Sequence, residues 1–344
     1  MGMVHRRERG AVASGCGPAW ARVGLVGLAL LLTANPAAAL ERVVISHSSI
    51  SGSQAVLWVA KDAGLFERHG LDLQIIFIAG APRGVQALLG GDVTFALLGG
   101  PAPILANLSG SDTVTIMGLV NTLDHTFITR EIRRPEDLRG KKLAVARFGS
   151  LDDFGARVAL RKWGLEPERD VAILQIGEQP ARLAALEAGA VHATLIQPPL
   201  TVRARKLGFH TLAALADLGL QYQGTCVVTT RGIIRTREAT IRAFVRAFVE
   251  GAHFYKTQRE ASTRSIARFM RLTDSEAIQE SYERYALKFL QRAPYPTAAG
   301  VEVILQDLAA KHPKARGANP QEFIEPRFVR ELDETGFIQR LYGR

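Results

Sequence analysis

The stretch VVISHSSISGSQAVLWVAKDAGLFERHGLDLQIIFI, residues 43–78, decides how this chain folds. It opens with an apolar run at 43–46 and closes with another at 71–78, and both have the length and β-branched content of buried strands. Between them, residues 53–68 carry apolar side chains at the spacing of one helix face, and Gly70 ends that pattern. The stretch therefore predicts a strand, a helix and a second strand, the unit of a parallel sheet covered by helices.

The same alternation continues along the chain and then starts again. A short helix at 83–89 and a strand at 93–98 complete a βαβαβ unit. After residue 140 the pattern predicts a second series, with strands at 143–146, 171–176 and 193–196 and helices at 151–163, 181–188 and 200–207. Because 344 residues are roughly twice the ~150 of one domain, we expect two similar α/β lobes rather than one large sheet.

From residue 237 onward the sequence becomes mostly helical. Amphipathic patterns at 241–252, 275–290, 301–310 and 327–342 predict helices with one apolar face each. Such faces have to be buried, and we expect this tail to pack mainly on the first lobe.

The first 39 residues have the pattern of a secretory signal peptide. Basic residues, among them Arg6 and Arg7, precede an apolar run at 23–32, which is followed by Ala37 and Ala39 at a small-x-small cleavage site. Ten apolar residues are too few to span the ~30 Å of a bilayer core, so we expect cleavage before Leu40 and no membrane-spanning segment. General secretion is favoured over the twin-arginine route, and the expected location is the periplasm.

Several classes of function lack the residues they would need. There is no GxGxxG after a strand, no Walker A motif, no HExxH and no GxSxG, and no histidine lies in a metal-ligand spacing. Two cysteines, Cys16 and Cys226, cannot build a disulfide framework or a thiolate cluster. The net charge of +10 favours anionic partners weakly, but the basic residues are scattered along an exported chain, so no nucleic acid is expected. We therefore predict no catalytic residue, no cofactor and no metal.

Small and polar residues follow the predicted strands, where open α/β sheets bind their ligands. The candidate ligand-binding residues at these strand ends are Ser46, Ser48, Ser49, Ala81, Arg83, Gly99, Gly100, Gly149, Ser150 and Gln197. Asn121 and Tyr222 join them because they lie near the two places where the chain crosses between lobes. The alternative is that the glycines only turn the chain and that Ser150 caps a helix. The repetition in both lobes favours a shared cleft.

Two features of these loops suit an anion. Backbone N–H groups at a helix start after Gly149 and Ser150 can hold a carboxylate or a sulfonate. Arg83 opens the second helix and can clamp an anion with its guanidinium, although a solvated surface arginine remains the alternative.

Four motifs resemble those of a known family. They are AGLFERHGL at 63–71, GDVTFA at 91–96, PEDLRGKK at 135–142 and ALEAGAVHA at 185–193, together with the loop around Gly149 and Ser150. In this order and spacing they resemble the nitrate/sulfonate/taurine-type substrate-binding proteins of ABC transporters, in the NMT1/THI5-like superfamily.

The resemblance implies a type II periplasmic binding fold, in which two α/β lobes joined by two crossings trap a ligand between them. The first lobe would comprise residues 40–125 and 229–344, the second 126–228, and the signal peptide 1–39. The implied function is that of the periplasmic solute-binding component of an ABC importer. It would capture a small organic or inorganic anion, such as a sulfonate, taurine, a nitrate-like ion or a carboxylate, by lobe closure. Its partners would be the permease and, through it, the ATPase subunits, and the protein itself would be a monomer.

Two other functions remain open. The superfamily also contains THI5-like pyrimidine-forming enzymes, whose cysteine-rich iron-binding motif is absent from this sequence. A periplasmic sensory or accessory module would use the same ligand cleft without a transporter.

Overall fold

Ten strands form two five-stranded sheets in the computed structural model, which describes residues 39–343. In chain order the strands are β1 (Glu41–His47), β2 (Leu71–Phe77), β3 (Phe95–Gly99), β4 (Thr113–Gly118), β5 (Thr126–Thr129), β6 (Lys142–Val145), β7 (Ala172–Gln175), β8 (Ala193–Ile196), β9 (His210–Ala214) and β10 (Thr225–Thr230). The predicted signal peptide, up to residue 38, lies outside the described residues.

The helices flank these sheets. In the two lobes they are α1 (Ala55–Asp62), α2 (Leu65–Arg68), α3 (Ala81–Leu89), α4 (Pro101–Leu108), α5 (Leu151–Lys162), α6 (Gln179–Glu187) and α7 (Leu200–Lys206). The tail contributes α8 (Arg231–Thr236), α9 (Glu238–Thr257), α10 (Arg259–Met270), α11 (Ser275–Tyr282), a π-helical segment (Glu283–Phe289), α12 (Ala298–Leu308), α13 (Arg327–Glu334) and α14 (Phe337–Leu341). In the part of the chain that the structure describes, no helix is long and apolar enough to cross a membrane.

The two sheets share one strand order. The first runs β2-β1-β3-β10-β4 and the second β7-β6-β8-β5-β9. In each, three parallel strands are followed by one that arrives from the other sheet and pairs antiparallel with both neighbours. The α/β fold class predicted from the sequence is confirmed. Besides the predicted parallel strands, each sheet contains one antiparallel strand, β10 in the first and β5 in the second, which follows a crossing between the sheets.

The predicted helix at 53–68 is divided in the structure. A 3₁₀ turn, Gly52–Gln54, leads into α1, and α2 follows after a break. The break lies at Gly64, whose φ of 66° is in the left-handed region that residues with a Cβ rarely adopt. The break turns the chain toward β2.

The chain crosses between the sheets at two adjacent segments, 119–125 and 215–224. Gly224 N–H donates to the Val120 carbonyl oxygen at 3.0 Å, and Leu119 N–H donates to the Thr225 carbonyl oxygen at 2.9 Å. Residues 225–228, which the sequence placed in the second lobe, pair with the first sheet as part of β10.

The long helix α9 forms the centre of the tail and packs on α1 of the first lobe. Its apolar side chains, including Phe244 and Phe248, are fully buried, and the Phe244 ring stacks on that of Phe95 with centroids 3.9 Å apart. Burying an aromatic side chain contributes on the order of 2–3 kcal/mol, so this face accounts for the position of the tail.

The tail also contacts the second lobe through charged residues at and just before α11. Arg205 Nη2 of α7 lies 2.6 Å from Glu280 Oε2 of α11, and Lys206 Nζ lies 2.6 Å from Asp274 Oδ2. Thr201 Oγ1 donates to Glu280 Oε1 at 2.6 Å. These two ion pairs and one hydrogen bond join the second lobe to the tail.

Candidate functional site

A cavity of about 50 Å³ lies between the two sheets, at the carboxyl ends of their parallel strands. Ser48 and Ser49 reach it directly after β1, and Gly99 reaches it at the end of β3. From the second sheet, Ala146 follows β6 and Gln197 follows β8. This is the edge at which open α/β sheets bind ligands, and here the edges of two sheets face each other.

Six of the residues proposed from the sequence line this cavity. They are Ser48, Ser49, Ala81, Gly99, Ser150 and Gln197. At Gly99 the second lobe comes so close that an added Cβ would lie 2.7 Å from the Cβ of Leu151, which leaves space for glycine alone. The two walls are therefore in contact beside the cavity.

The other proposed residues do not line the cavity. Gly149 is the neighbour of lining residue Ser150, Ser46 is buried within β1, and Gly100 packs against the backbone of Gln223. Asn121 Nδ2 donates to the Tyr295 carbonyl oxygen at 3.0 Å, in the crossing segment.

Tyr222 and Arg83 also lie elsewhere. Tyr222 is fully buried in an apolar cluster with Val301 of α12, where burial raises the pKa of its hydroxyl well above the usual value. Arg83 is exposed on α3 while the next residue, Gly84, faces the core. The phase of the helix therefore places Arg83 in solvent.

The backbone N–H groups that we predicted to bind an anion already have hydrogen-bond partners within the chain. Gly149 N–H donates to Asp153 Oδ2 at 2.9 Å, and Ser150 N–H donates to the Arg147 carbonyl oxygen at 3.1 Å. Acidic residues in the first turn of α5, Asp152 and Asp153, also lie where the helix dipole favours negative charge. The chain's own carboxylates thus occupy the position proposed for the ligand.

A buried glutamine holds the serine loop after β1. Gln54 Oε1 accepts hydrogen bonds from the N–H groups of Ser48 and Ser49 at 3.1 and 3.2 Å. Its Nε2 donates to Ser48 Oγ at 3.1 Å. The first wall is therefore held in place by hydrogen bonds within the chain.

A chain of amide side chains holds the second wall. Gln197 Nε2 donates to Asp124 Oδ2 at 2.6 Å, and Gln197 N–H donates to Gln179 Oε1 at 2.7 Å. Gln179 Nε2 then reaches across the cleft and donates to Ser49 Oγ at 3.2 Å. A backbone hydrogen bond from Gly52 N–H to the Pro198 carbonyl oxygen, at 3.1 Å, also joins the two lobes. These two hydrogen bonds hold the lobes in a closed arrangement.

Asp152 and Arg182 form a buried ion pair in the second wall. Arg182 Nη2 lies 3.2 Å from Asp152 Oδ2, and the side chains are 2% and 5% exposed. Burial alone would raise the pKa of Asp152, but Arg182, His125 and the hydrogen bonds from Ser150 Oγ and Ala146 N–H outweigh it and lower the pKa. Asp152 is therefore ionised, and its charge is matched inside the protein.

Two further titratable side chains line the cavity. His125 is buried, with Nδ1 3.3 Å from Asp124 Oδ1. Glu178 is half-buried at the start of α6, and burial raises its pKa while Arg182 partly opposes the change. Among residues 39–343, the Glu178 carboxylate has neither a hydrogen bond nor an ion pair.

The sequence did not single out Asp152, Glu178, Gln179 or Arg182. Asp152 lies in the first turn of α5, and the other three lie at the start of α6, where Glu178 is the N-cap residue. Gln179 and Arg182 are three residues apart and therefore share one face of α6. This spacing is a signal in the sequence that could have identified them.

Comparisons with known proteins agree with the fold. The family model described as NMT1/THI5 like matches residues 52–261. The alkanesulfonate-binding protein SsuA of Xanthomonas axonopodis pv. citri, solved bound to MOPS, superposes with a TM-score of 0.70 at 19% identity, over 83% of this chain and 98% of that one. The periplasmic nitrate-binding protein NrtA of Synechocystis PCC 6803 gives 0.69 at 14% identity, over 86% and 89%.

A similarity in sequence extends to a third binding protein. The taurine-binding periplasmic protein of Escherichia coli strain K12 is 30% identical over 118 residues, which is 33% of this chain and 36% of that protein. These relatives and structural neighbours confirm the predicted periplasmic binding fold. The family match covers more than half of the chain. The chain belongs to the NMT1/THI5-like family.

Proposed function

We propose that this protein is the solute-binding component of an ABC importer, which captures a small solute in the periplasm and delivers it to a permease with its ATPase subunits. The observation that carries the proposal is that both lobes supply the cavity wall, with Gln179 bonded to Ser49 across it. Such a wall is complete only when the lobes are closed. The similar proteins named for alkanesulfonate, nitrate and taurine binding support this function.

In the proposed mechanism, closure is the signal. A solute that touches both walls binds the closed form more tightly than the open form and therefore shifts the population toward it. Gln54 and Gln197 hold the two walls in place beforehand, which reduces the ordering cost of binding. No bond of the solute is made or broken in this cycle.

The proposed solute is small and carries an anionic group. A space of about 50 Å³ holds on the order of three or four water molecules, far less than the ~300–1,000 Å³ of drug-sized sites. We propose that Arg147, rather than Arg83, binds the anionic group of the solute. Its side chain is half-buried against Gly80 of the first lobe, a lining residue, and it has no ion pair within residues 39–343.

Native mass spectrometry of protein purified from its own periplasm tests the function. We expect one bound solute of low mass, which denaturation releases chemically unchanged, and a mature chain that begins at Leu40. Loss of the gene should then abolish uptake of that solute. A converted solute would favour the THI5-like enzyme, and unchanged uptake would favour a sensory module.

A pair of arginine variants tests the anionic group. Arg147→Gln should weaken binding of the identified solute by about 10-fold or more, the effect of losing a charge-assisted hydrogen bond. Arg83→Gln, on the exposed face of α3, is the matched control and should leave the dissociation constant unchanged. Equal effects of the two variants would remove Arg147 from the site.

A further inference from the structure

We propose that Glu178 selects the solute by accepting hydrogen bonds from an ammonium or other N–H group on it. This inference rests on the proposed function and narrows it. The solute would carry an N–H donor, which nitrate and simple alkanesulfonates lack.

The argument starts from the charges that are already matched. Arg182 donates from Nε to Thr194 Oγ1 at 3.2 Å, from Nη1 to the Gly177 carbonyl oxygen at 2.5 Å and from Nη2 to the Leu195 carbonyl oxygen at 2.8 Å. With its ion pair to Asp152, each guanidinium nitrogen has a partner. Arg182 therefore has little capacity left for a ligand.

Asp152 is satisfied in the same way. Its Oδ2 accepts from Ala146 N–H at 2.7 Å, and its Oδ1 accepts from Ser150 Oγ at 2.5 Å. Although both members of the pair line the cavity, they bond mainly to each other and to the scaffold. They provide the shape of the wall rather than contacts for a solute.

Glu178 differs from both. Glu178 lines the same wall and is half-buried, and its carboxylate accepts no hydrogen bond from any described residue. The charged groups around it are Arg182, Asp152 and Arg147, and none of them forms an ion pair with it. A hydrogen-bond donor from the ligand would compensate the partial desolvation of this carboxylate.

The neighbouring serine hydroxyls suit the anionic group of such a solute. The Oγ atoms of Ser48 and Ser49 accept from Gln54 and Gln179, so within the described chain their O–H groups remain free to donate to an acceptor. In an ionised state Glu178 would repel a bare anion placed beside it, whereas an ammonium group would be attracted. A solute with an N–H group at Glu178 and an anionic group toward Arg147, which packs on lining residue Gly80, matches two charged side chains that form no ion pair with any described residue.

Matched probes separate the N–H group from the rest of the molecule. Taurine and isethionate differ only in an ammonium group against a hydroxyl, and so do glycine and glycolate. Binding of all four to dialysed protein is measured by calorimetric titration. We expect at least one ammonium compound to bind about 10- to 100-fold more tightly than its hydroxyl partner, as for a hydrogen bond to a charged group.

Glu178→Gln keeps the shape of the side chain and removes its charge, and should reduce that preference to less than about 5-fold. Glu187→Gln, at the far end of α6 and paired with Arg203 on the surface, is the control and should keep the full preference.

Three results would each overturn the assignment. They are equal affinity for the members of both pairs, a preference that survives in Glu178→Gln, and no binding of any probe at millimolar concentration. None of these results would contradict the proposed function, because that is decided by the trapped solute and by uptake.

Discussion

Replacing Arg182 by methionine should destabilise the unliganded protein severely. The side chain is 2% exposed and connects the start of α6 to β8, to the Gly177 carbonyl oxygen and to Asp152 of α5. Methionine fills much of the same volume but donates no hydrogen bond. The substitution therefore leaves Asp152 as a buried carboxylate without its counter-charge.

The expected cost is about 3–5 kcal/mol in the free energy of unfolding, the usual result of removing one partner of a buried ion pair. That is a large part of the ~5–15 kcal/mol that stabilises a typical domain. Removing both charges in Arg182→Met/Asp152→Leu should cost less than the sum of the two single changes, because no unmatched charge then remains.

Urea unfolding of dialysed protein, followed by circular dichroism, measures the effect. Arg203→Met on α7 is the control, since Arg203 is largely exposed and pairs with Glu187 at 3.5 Å, and it should change stability by less than ~0.5 kcal/mol. An Arg182→Met protein within about 1 kcal/mol of the wild type would refute the reasoning.

The pH dependence follows from Asp152. Its pKa in the folded protein lies below the usual value of 3.8, so the stability that it contributes is present above pH 3.8 and is lost as the pH falls through the lower folded value. The difference between the wild type and Arg182→Met should therefore shrink in strong acid. A constant difference down to acid unfolding would contradict the role of the charge.

Three further outcomes are expected. Burial raises the pKa of the Cys226 thiol to about 12, so native protein at pH 8 should resist thiol reagents that modify it quickly in urea, and equal rates would show an accessible thiol. Gly52→Ala should lower the melting temperature by several degrees in a thermal scan, because the new Cβ would lie 2.4 Å from the Tyr285 ring, and an unchanged melting point would contradict that contact. Glu280→Gln removes the carboxylate partner of Arg205 and with it a contact between the tail and the second lobe. The change should therefore weaken binding of the identified solute, and the loss should be smaller at high salt, where the wild-type pair is screened. A salt-independent loss would argue against an electrostatic role.

The sequence was sufficient for the lobes and for the edge at which they meet. Strand ends follow from local apolar patterns, and parallel strands bring those ends together whatever the details of packing. Ser48, Ser49 and Gln197 could therefore be proposed as lining residues before the structure was known, and they line the cavity.

The residues that were placed wrongly depend on packing between distant parts of the chain. Tyr222 lies near a crossing, as expected, but α12, almost eighty residues farther on, covers it with Val301. Arg83 depends on the rotation of α3 about its axis, which one exposed arginine in a short helix does not determine. Arg182 was overlooked because an arginine within a helical pattern usually faces solvent.

The adjacent crossings have a consequence for how this protein can be rebuilt. Because Gly224 bonds to Val120 and Leu119 to Thr225, the chain leaves the first lobe and re-enters it at one place. An insertion whose two ends lie side by side can be exchanged without displacing the strands that flank it. Exchanging the segment between these residues for that of a relative would thus leave both crossings in place, and the exchanged lobe must keep the apolar contacts that the second lobe makes with α12.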